Sequence, residues 1–572
     1  MKRFAFLLLA LALLLAVLPA AAQSTPDLTA LAQYFPGQTP VYASLRTDDA
    51  YIATLEALRT RIAASLPAEA MGETTIPTAL DGSVRDMLQM DDATFASAVR
   101  PWLGDTAAFG VLNLDSMMEQ QNNAPYLVAL SVTDRAAAEA FFAPLAARAR
   151  DMVTVETTDA YTLYSIANNG NGPMALYIDN QVLLVTNKLE ALPTNGPLTS
   201  PLSEQEQFQR AIASLPAETY NIGVYADYGA FMSAALAEAS AMNTSDAAMI
   251  AMIEPYFEAF GGTAVGFTLL DDRALTMDLA VGWDPTALPE AMGDMSAMGP
   301  FDPAFALHLP AGTQLAIQGS NLSQSIQQGL DSVAALQAME SASGSSNSAP
   351  SGQEVLAGIN FLVRGATGLD LQDDVLSWMT GQYAVGMSID FEAVMSAAFG
   401  GDVPPDVLSF SIVIENTDNQ GAEALVSGIS QALANYVTPE ITNDVTVADE
   451  TIGGAPAVIL TDVASGFQLA AGGNDAVFAL GTPDMVRAAL APDGGLNGDA
   501  AYQESLTWAV ANAPVYLYAS GDFFNSAINL SMFGMQVQQE VADLAPLFSS
   551  SSISENYDDT AIIARFVLTL AE

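Results

Sequence analysis

The chain has 572 residues, of which 51% are hydrophobic and only 14% charged, a globular composition with material for more than one core. Its charge is one-sided: 65 acidic residues against 16 basic ones give −49, which excludes nucleic acid and anionic membrane surfaces as partners because both need a cationic footprint. No cysteine is present, so disulfides, thiolate nucleophiles and cysteine-based metal sites are excluded as well.

The N-terminus reads as an export signal. Lys2-Arg3 is followed by an almost pure Leu/Ala run from Phe4 to Leu18 and by Ala20-Ala21-Ala22, a small-residue cleavage pattern. Residues 1–22 are therefore expected to be a signal peptide, with the mature chain starting at Gln23. No cysteine-borne lipid anchor is expected, and no later stretch has 18 uninterrupted apolar residues. The expected location is secreted or on the cell-envelope exterior, without stable membrane insertion after signal cleavage.

A polar leader, Ser24 to Ala32, precedes Phe35-Pro36-Gly37-Gln38-Thr39-Pro40, which turns into a strand at Val41–Leu45. Asp48-Asp49 opens a helix carrying Tyr51, Ile52, Leu55, Leu58 and Ile62 at helical spacing. Pro67 to Gly82 reads as a loop. Next comes an acidic doublet, Asp91-Asp92, a short helix-like run, and Trp102-Leu103-Gly104-Asp105-Thr106-Ala107-Ala108-Phe109-Gly110-Val111, which enters a strand. Tyr126 to Val132 is a second strand, and Asp134 is placed to cap an Ala-rich helix through Arg150 that Pro144 should kink. From Val153 to Thr186 the period is two, broken at Asn168–Gly172 and Asp179-Asn180, where Asn and Gly suit hairpin turns. A helix from Ser203 to Leu215, a strand from Asn221 to Asp227, two Ala/Met-rich helical stretches and a strand pair, Thr263–Leu270 with Ala274–Val281, complete the half.

The pattern then starts again after a linker, 284–303. Trp378-Met379-Thr380-Gly381-Gln382-Tyr383-Ala384-Val385-Gly386-Met387 follows Asp373-Asp374, and Trp, Ala and Gly recur 276 positions beyond Trp102, Ala108 and Gly110. Phe35-Pro36 answers to Leu309-Pro310 at 274, Asp134…Phe141 to Asp418…Leu425 at 284, and Tyr225-Ala226 to Tyr518-Ala519 at 293. These offsets rise along the chain, as expected for one order of elements with longer loops in a second copy. The expected fold class is α+β: two tandem homologous domains, 23–283 and 304–572, each with a largely antiparallel sheet and packed helices, the second with a flexible Ser/Gly-rich loop at 341–352.

The Asp-Asp…Trp-(Leu/Met)…Gly…Ala-x-Gly cassette, behind a signal sequence and a Pro-x-x-Thr strand, resembles an uncharacterised family of exported bacterial proteins, the domain-of-unknown-function family 3352. The resemblance covers most of the mature chain, best at Leu88–Val111, Leu369–Met387 and the strand–helix units after Tyr126 and Leu408. It implies an envelope or extracellular address and brings no catalytic residues.

Chemistry is mostly excluded. His308 is the only histidine, in Ala306-Leu307-His308-Leu309-Pro310, and no Gly-x-Ser-x-Gly elbow accompanies it, so it reads as structural. One histidine without cysteine removes the usual zinc sites. Lys188 follows no glycine loop, and Gly170-Asn171-Gly172-Pro173-Met174-Ala175 precedes a strand where a dinucleotide site needs a helix. The doublets Asp91-Asp92, Asp271-Asp272, Asp373-Asp374 and Asp558-Asp559 read as solvated turns, although calcium takes such oxygen ligands and divalent cations at the acidic surface are the one ionic partner the composition accommodates. Trp102 and Trp378 read as core wedges, and Met292, Met295 and Met298 as linker filler. No catalytic, cofactor-binding or metal residue is assigned, and no cofactor. The expected function is an exported, non-catalytic binding, scaffolding or surface module of unknown ligand. An extracellular two-lobed solute-binding protein with a site between the halves is the alternative, and a carboxylate-based hydrolase the third reading.

Overall fold

The computed structural model describes residues 27, 29–65, 75–114, 124–149, 151–166, 173–217, 219–231, 260–270, 273–284, 298–330, 352–398, 404–405, 407–418, 420–436, 444–524, 545–557 and 560–571. It is a mixed α+β protein in which every described strand pairing is antiparallel. The chain divides into two compact units, Met1–Ala287 with Asp559–Ile563, and Leu288–Asp558 with Ala564–Glu572.

The first unit holds β1 (Val41–Arg46), β2 (Leu103–Val111), β3 (Tyr126–Val132), β4 (Val153–Thr157), β5 (Thr162–Ile166), β6 (Met174–Ile178), β7 (Val182–Thr186), β8 (Ile222–Asp227), β9 (Phe260–Leu270) and β10 (Ala274–Trp283). They lie side by side in the order β4-β5-β6-β7-β3-β2-β1-β8-β9-β10. Strands β3 and β7 are apolar along their length because both of their faces are buried. Val128, Leu130, Leu183 and Val185 join a core with Trp102, Phe141 and Phe142. Leu127, Ala129, Val182 and Leu184 join a second core with Phe35, Tyr42 and Phe208. Each fully buried leucine or valine of this kind contributes about 1.5–3 kcal/mol relative to exposure.

The second unit holds β11 (Leu315–Ser320), β12 (Gln382–Ile389), β13 (Leu408–Glu415), β14 (Val445–Ile452), β15 (Ala455–Asp462), β16 (Gln468–Gly473), β17 (Val477–Gly481), β18 (Val515–Ser520) and β19 (Phe548–Tyr557), with β20 (Ala561–Leu570) from Ala564 onward. The order from β14 to β19 is β14-β15-β16-β17-β13-β12-β11-β18-β19, which is the first unit's order strand for strand. The registers correspond too. Tyr42 faces Gly110 and Tyr225, and Ala316 faces Gly386 and Tyr518. Leu127 faces Gly110 and Thr186, and Ser411 faces Gly386 and Gly481. Leu163 faces Tyr177, and Ala457 faces Gly472.

Several expectations need correction. The leader is not simply polar: Ala30–Tyr34 forms a short 3-10 turn that buries Leu31 and Ala32 in a core. The loop expected over Pro67–Gly82 ends early, because a helix spans Ile76–Leu88 with Thr75 capping it and Pro77 in its first turn. Proline is tolerated there, since the first-turn N–H groups have no intrahelical partner. The doublet Asp373-Asp374 precedes Trp378 as expected, but it lies within a helical turn of its own, Leu371–Val375, directly ahead of Leu376–Trp378. The offsets do not rise throughout. They reach 295 at β7 and β17 (Thr186, Gly481) and fall back to 293 at Tyr225 and Tyr518, because the connection that follows is shorter in the second unit. The strand–turn reading of Val153–Thr186 lacked one break: Thr158–Tyr161 turns the chain between β4 and β5. The Ala-rich helix spans Arg135–Arg148, continuing through Pro144, with the Asp134 carboxylate accepting from the Ala137 N–H. The signal segment 1–22, most of the two Ala/Met-rich stretches (232–259), Asp271-Asp272, linker residues 285–297, loop residues 341–351, Asp558-Asp559 and the break at 168–172 lie outside the described residues.

Glycine at the β1–β2 pairing is dictated by the layer above it. A Cβ on Gly110 would lie 2.7 Å from the ring of Phe35, which is fully buried and has nowhere to move. At the corresponding Gly386 a Cβ would lie 2.8 Å from Leu309 Cδ2. Gly110→Ala is expected to cost about 1–3 kcal/mol through overpacking, measured as a lowered denaturant midpoint. An unchanged midpoint would contradict the packing described.

Candidate functional site

The two Trp cassettes are built alike and are structural. Trp102 follows a helical turn, Phe95–Ala98, capped by Thr94, and its indole Nε1 donates to the Ala98 carbonyl at 2.9 Å. Trp378 closes Leu376–Trp378, and its Nε1 donates to the Asp374 carbonyl at 3.1 Å. In each case the indole satisfies a carbonyl that a helix end leaves open. Both rings are buried, Trp102 against Phe141 and Phe142, Trp378 against Phe478. Neither offers a face to a ligand.

The remaining candidates are placed as follows. His308 sits at the end of a 3-10 turn, Pro303–His308, with Nδ1 donating to the Ala489 carbonyl at 2.7 Å and its ring beside Phe305. Burial holds its pKa below the ordinary value near 6.5, opposed by the Ala489 carbonyl and Glu415. Asp91 and Asp92 are exposed in a turn, as are Asp373 and Asp374 in theirs. Among the described residues no three carboxylates or imidazoles gather as a metal site would require. Asp278 is the one carboxylate among them that is fully buried, and it accepts the Tyr220 hydroxyl at 2.6 Å. Buried Arg46 forks onto Asp48 at 2.8 and 2.9 Å, while Arg100 reaches Asp105 and the Thr47 carbonyl; these pairs fasten the β1–helix turn. Lys188 immediately precedes a 3-10 turn, Leu189–Ala191, with no glycine loop.

One group is not absorbed by packing. Tyr161, in the β4–β5 turn, stacks on Tyr177 of β6 with ring centroids 5.1 Å apart and planes at 30°. The Tyr161 hydroxyl donates to Glu156 at 3.3 Å and the Tyr177 hydroxyl to Asp179 at 3.2 Å. Tyr34 joins them from the Ala30–Tyr34 turn, its hydroxyl donating to Gln181 at 3.2 Å. Tyr34 and Tyr161 are half-buried, and Glu156 is exposed. Burial, then Asp179, pushes the Tyr34 hydroxyl up to about 12; burial and the same carboxylate also raise Tyr177. Asp179 is locked in place, because its other oxygen accepts from the Gln181 and Val182 N–H groups at 2.7 and 2.8 Å. The turn itself is held from the opposite sheet face by Arg135, which donates to the Thr158 and Asp159 carbonyls and pairs with Glu139. Sequence reasoning missed this group because Tyr161 was read inside a continuous strand. The signal available was Thr157-Thr158-Asp159, a turn-forming run between two apolar-alternating segments.

The family model described as a protein of unknown function, DUF3352, matches residues 4–551, nearly the whole chain. The chain belongs to the DUF3352 family. No curated protein and no solved structure matches it.

Within this DUF3352 chain the second unit fills the corresponding place differently. By register, Leu163 and Tyr177 answer to Ala457 and Gly472; Tyr161, one residue ahead of β5, then answers to Ala455, and Tyr34 answers to His308 at the sequence offset of 274. The small residues make room for a helix, Pro483–Leu490. A Cβ on Gly472 would lie 2.7 Å from Leu490 Cδ1, and one on Gly453 would lie 2.9 Å from the Ala491 Cβ. In the first unit the chain after β7 makes only the single turn Leu189–Ala191 before Pro193, which cannot supply a helical N–H. The tyrosines stand where the second unit has its helix.

His308 gives a pH signature. The unfolded chain takes up the imidazole proton near pH 6.5 and the folded chain only at lower pH, so the unfolded state binds more protons in between. The stability conferred by neutral His308 is therefore complete above that value and is lost as pH falls below it. Melting temperatures measured between pH 7.5 and 5 are expected to fall more for the native protein than for His308→Gln. Parallel curves would contradict the assignment.

Proposed function

We propose that this DUF3352 protein is an exported, non-catalytic binding module made of two diverged copies of one α+β unit, spanning about 23–283 and 304–572. The observation that carries the duplication is register: pairings such as Tyr42–Gly110 and Ala316–Gly386 recur across both units at corresponding positions. Equal strand order alone can arise by convergence of a common plan, whereas equal residue pairing across several strand junctions requires a common ancestor or great coincidence. The Leu/Ala run and the Ala20-Ala21-Ala22 site at the N-terminus support export.

Two features favour binding over catalysis. The only imidazole is committed to a backbone carbonyl, and the tryptophans that mark both cassettes are committed to helix ends. The two units cover their meanders differently: one with a helix, while the other leaves a tyrosine–carboxylate group half open. A surface difference on a shared frame is where a recognition site is grafted onto a scaffold.

The test is a thermal-shift screen of the chain from Gln23 onward against amino acids, sugars, peptides, small organic cations and divalent cations. A ligand that binds only the folded state adds about 2.7 kcal/mol at a hundredfold excess over its Kd. At least one solute class is expected to raise the melting temperature beyond the effect of NaCl at equal ionic strength. Turnover of any screened compound, with no binding of the intact compound, would overturn the reading.

A further inference from the structure

The tyrosine group of the first unit has three properties that together specify a ligand. The first is aromatic surface: the Tyr161 and Tyr177 rings stack and Tyr34 stands near them, two of the three only half-buried. The second is charge. The hydroxyls of Tyr161 and Tyr177 point their protons at Glu156 and Asp179, so the donors are used up and what remains for a ligand is ring surface and carboxylate. None of the described ion pairs uses either carboxylate. The third is the difference between the units: the corresponding face of the second unit is closed by Pro483–Leu490, packed directly on Gly472, whereas directly after β7 the first unit has only the turn Leu189–Ala191.

Taken with the binding reading above, on which it rests, we infer that the Tyr34–Tyr161–Tyr177 face binds a small organic cation, an ammonium head group carried on an apolar body. A cation over a tyrosine ring is attracted by the ring's quadrupole, and the attraction strengthens where water is partly excluded. Carboxylates at the ring edges add to it at short range and survive moderate salt because they are close to the cation. An anionic ligand is repelled by Glu156 and Asp179. A neutral sugar stacks on such rings but gains nothing from the two charges, and the hydroxyl donors it would want are already spent. Arg135, the basic side chain that touches the turn, is engaged with Glu139 and with backbone carbonyls on the opposite sheet face and does not fill the position.

The experiment is calorimetric titration of the full mature chain with choline chloride at constant ionic strength. It is run beside 3,3-dimethylbutan-1-ol, the uncharged analogue of the same shape, a neutral disaccharide, and a short lysine-containing peptide. Choline is expected to bind saturably, and the neutral analogue about tenfold or more weaker. Tyr161→Ala is expected to weaken choline about tenfold, and Glu156→Gln, which keeps an acceptor for the Tyr161 hydroxyl, by about threefold. Melting curves of both variants show whether each is folded; Glu156 is exposed, so Glu156→Gln carries the test if Tyr161→Ala unfolds. Choline binding that is absent, equalled by the neutral analogue, or unmoved by both variants overturns the inference. Saturable, Tyr161-dependent binding of the disaccharide or of the peptide in preference to choline also overturns it, while leaving the binding-module reading intact. No binding of any of the four probes removes this face as the site, and the binding reading then stands or falls on the broader screen alone.

Discussion

Two strands in each unit bury side chains on both of their faces, and the remaining architecture follows from that burial. In the first unit Val128 and Leu130 point into one core while Leu127 and Ala129 point into the other, with Leu183, Val185, Val182 and Leu184 alternating beside them. A shift of one residue would send every one of these side chains into the wrong core. The two cores differ in what they hold: one packs the Trp102 wedge and the Phe141-Phe142 pair, the other packs Phe35 and Tyr42 over Gly110. Volume, more than polarity, sets the register here, and Gly110 and Gly386 mark places where a bulky side chain comes close to the backbone.

That constraint bears on which parts of the two units are alike and which differ. Each Trp lies between a helical turn and a strand, Trp102 directly before β2 and Trp378 separated from β12 by Met379-Thr380-Gly381, and its N–H is spent on a carbonyl of the preceding helical turn. Gly110 and Gly386 both lie under bulky neighbours, Phe35 and Leu309. The meander β4–β7 and its counterpart β14–β17 share register but lie where one face is free to be covered in more than one way. Small residues there admit a helix in the second unit; tyrosines fill the same position in the first, and their edges reach carboxylates.

The sequence made the frame legible and left the candidate site hidden, for different physical reasons. Strands such as Tyr126–Val132 announce themselves through apolar, β-branched content, and Asp134 through its capping chemistry, both local properties. The recurrence of Trp102 at Trp378 and of Gly110 at Gly386 was readable because each position is tightly packed, the indoles buried and the glycines close under Phe35 and Leu309. The Tyr161 group was not readable, because its members come from three segments, around residues 34, 161 and 177, which meet only through tertiary packing. The helix at Ile76–Leu88 was missed because Pro77 and Gly82 speak for a loop, yet proline is harmless in a first turn and a lone glycine costs only about 1 kcal/mol against the burial of Leu80, Val84 and Leu88.

The central claim is that both units pair their strands in one register, and the absence of native cysteine allows it to be measured by disulfide trapping. Ala43 faces Val224 in the first unit and Ile317 faces Leu517 in the second, all four half-buried. Directly opposed residues on antiparallel strands lie about 4.5–5.5 Å apart at Cα, within disulfide reach. The account predicts that Ala43→Cys with Val224→Cys, and separately Ile317→Cys with Leu517→Cys, both oxidise to an internal disulfide in the folded protein, whereas Ala43→Cys with Gly223→Cys does not. Oxidation of one opposed pair but not the other, or of the shifted pair in preference, would contradict it.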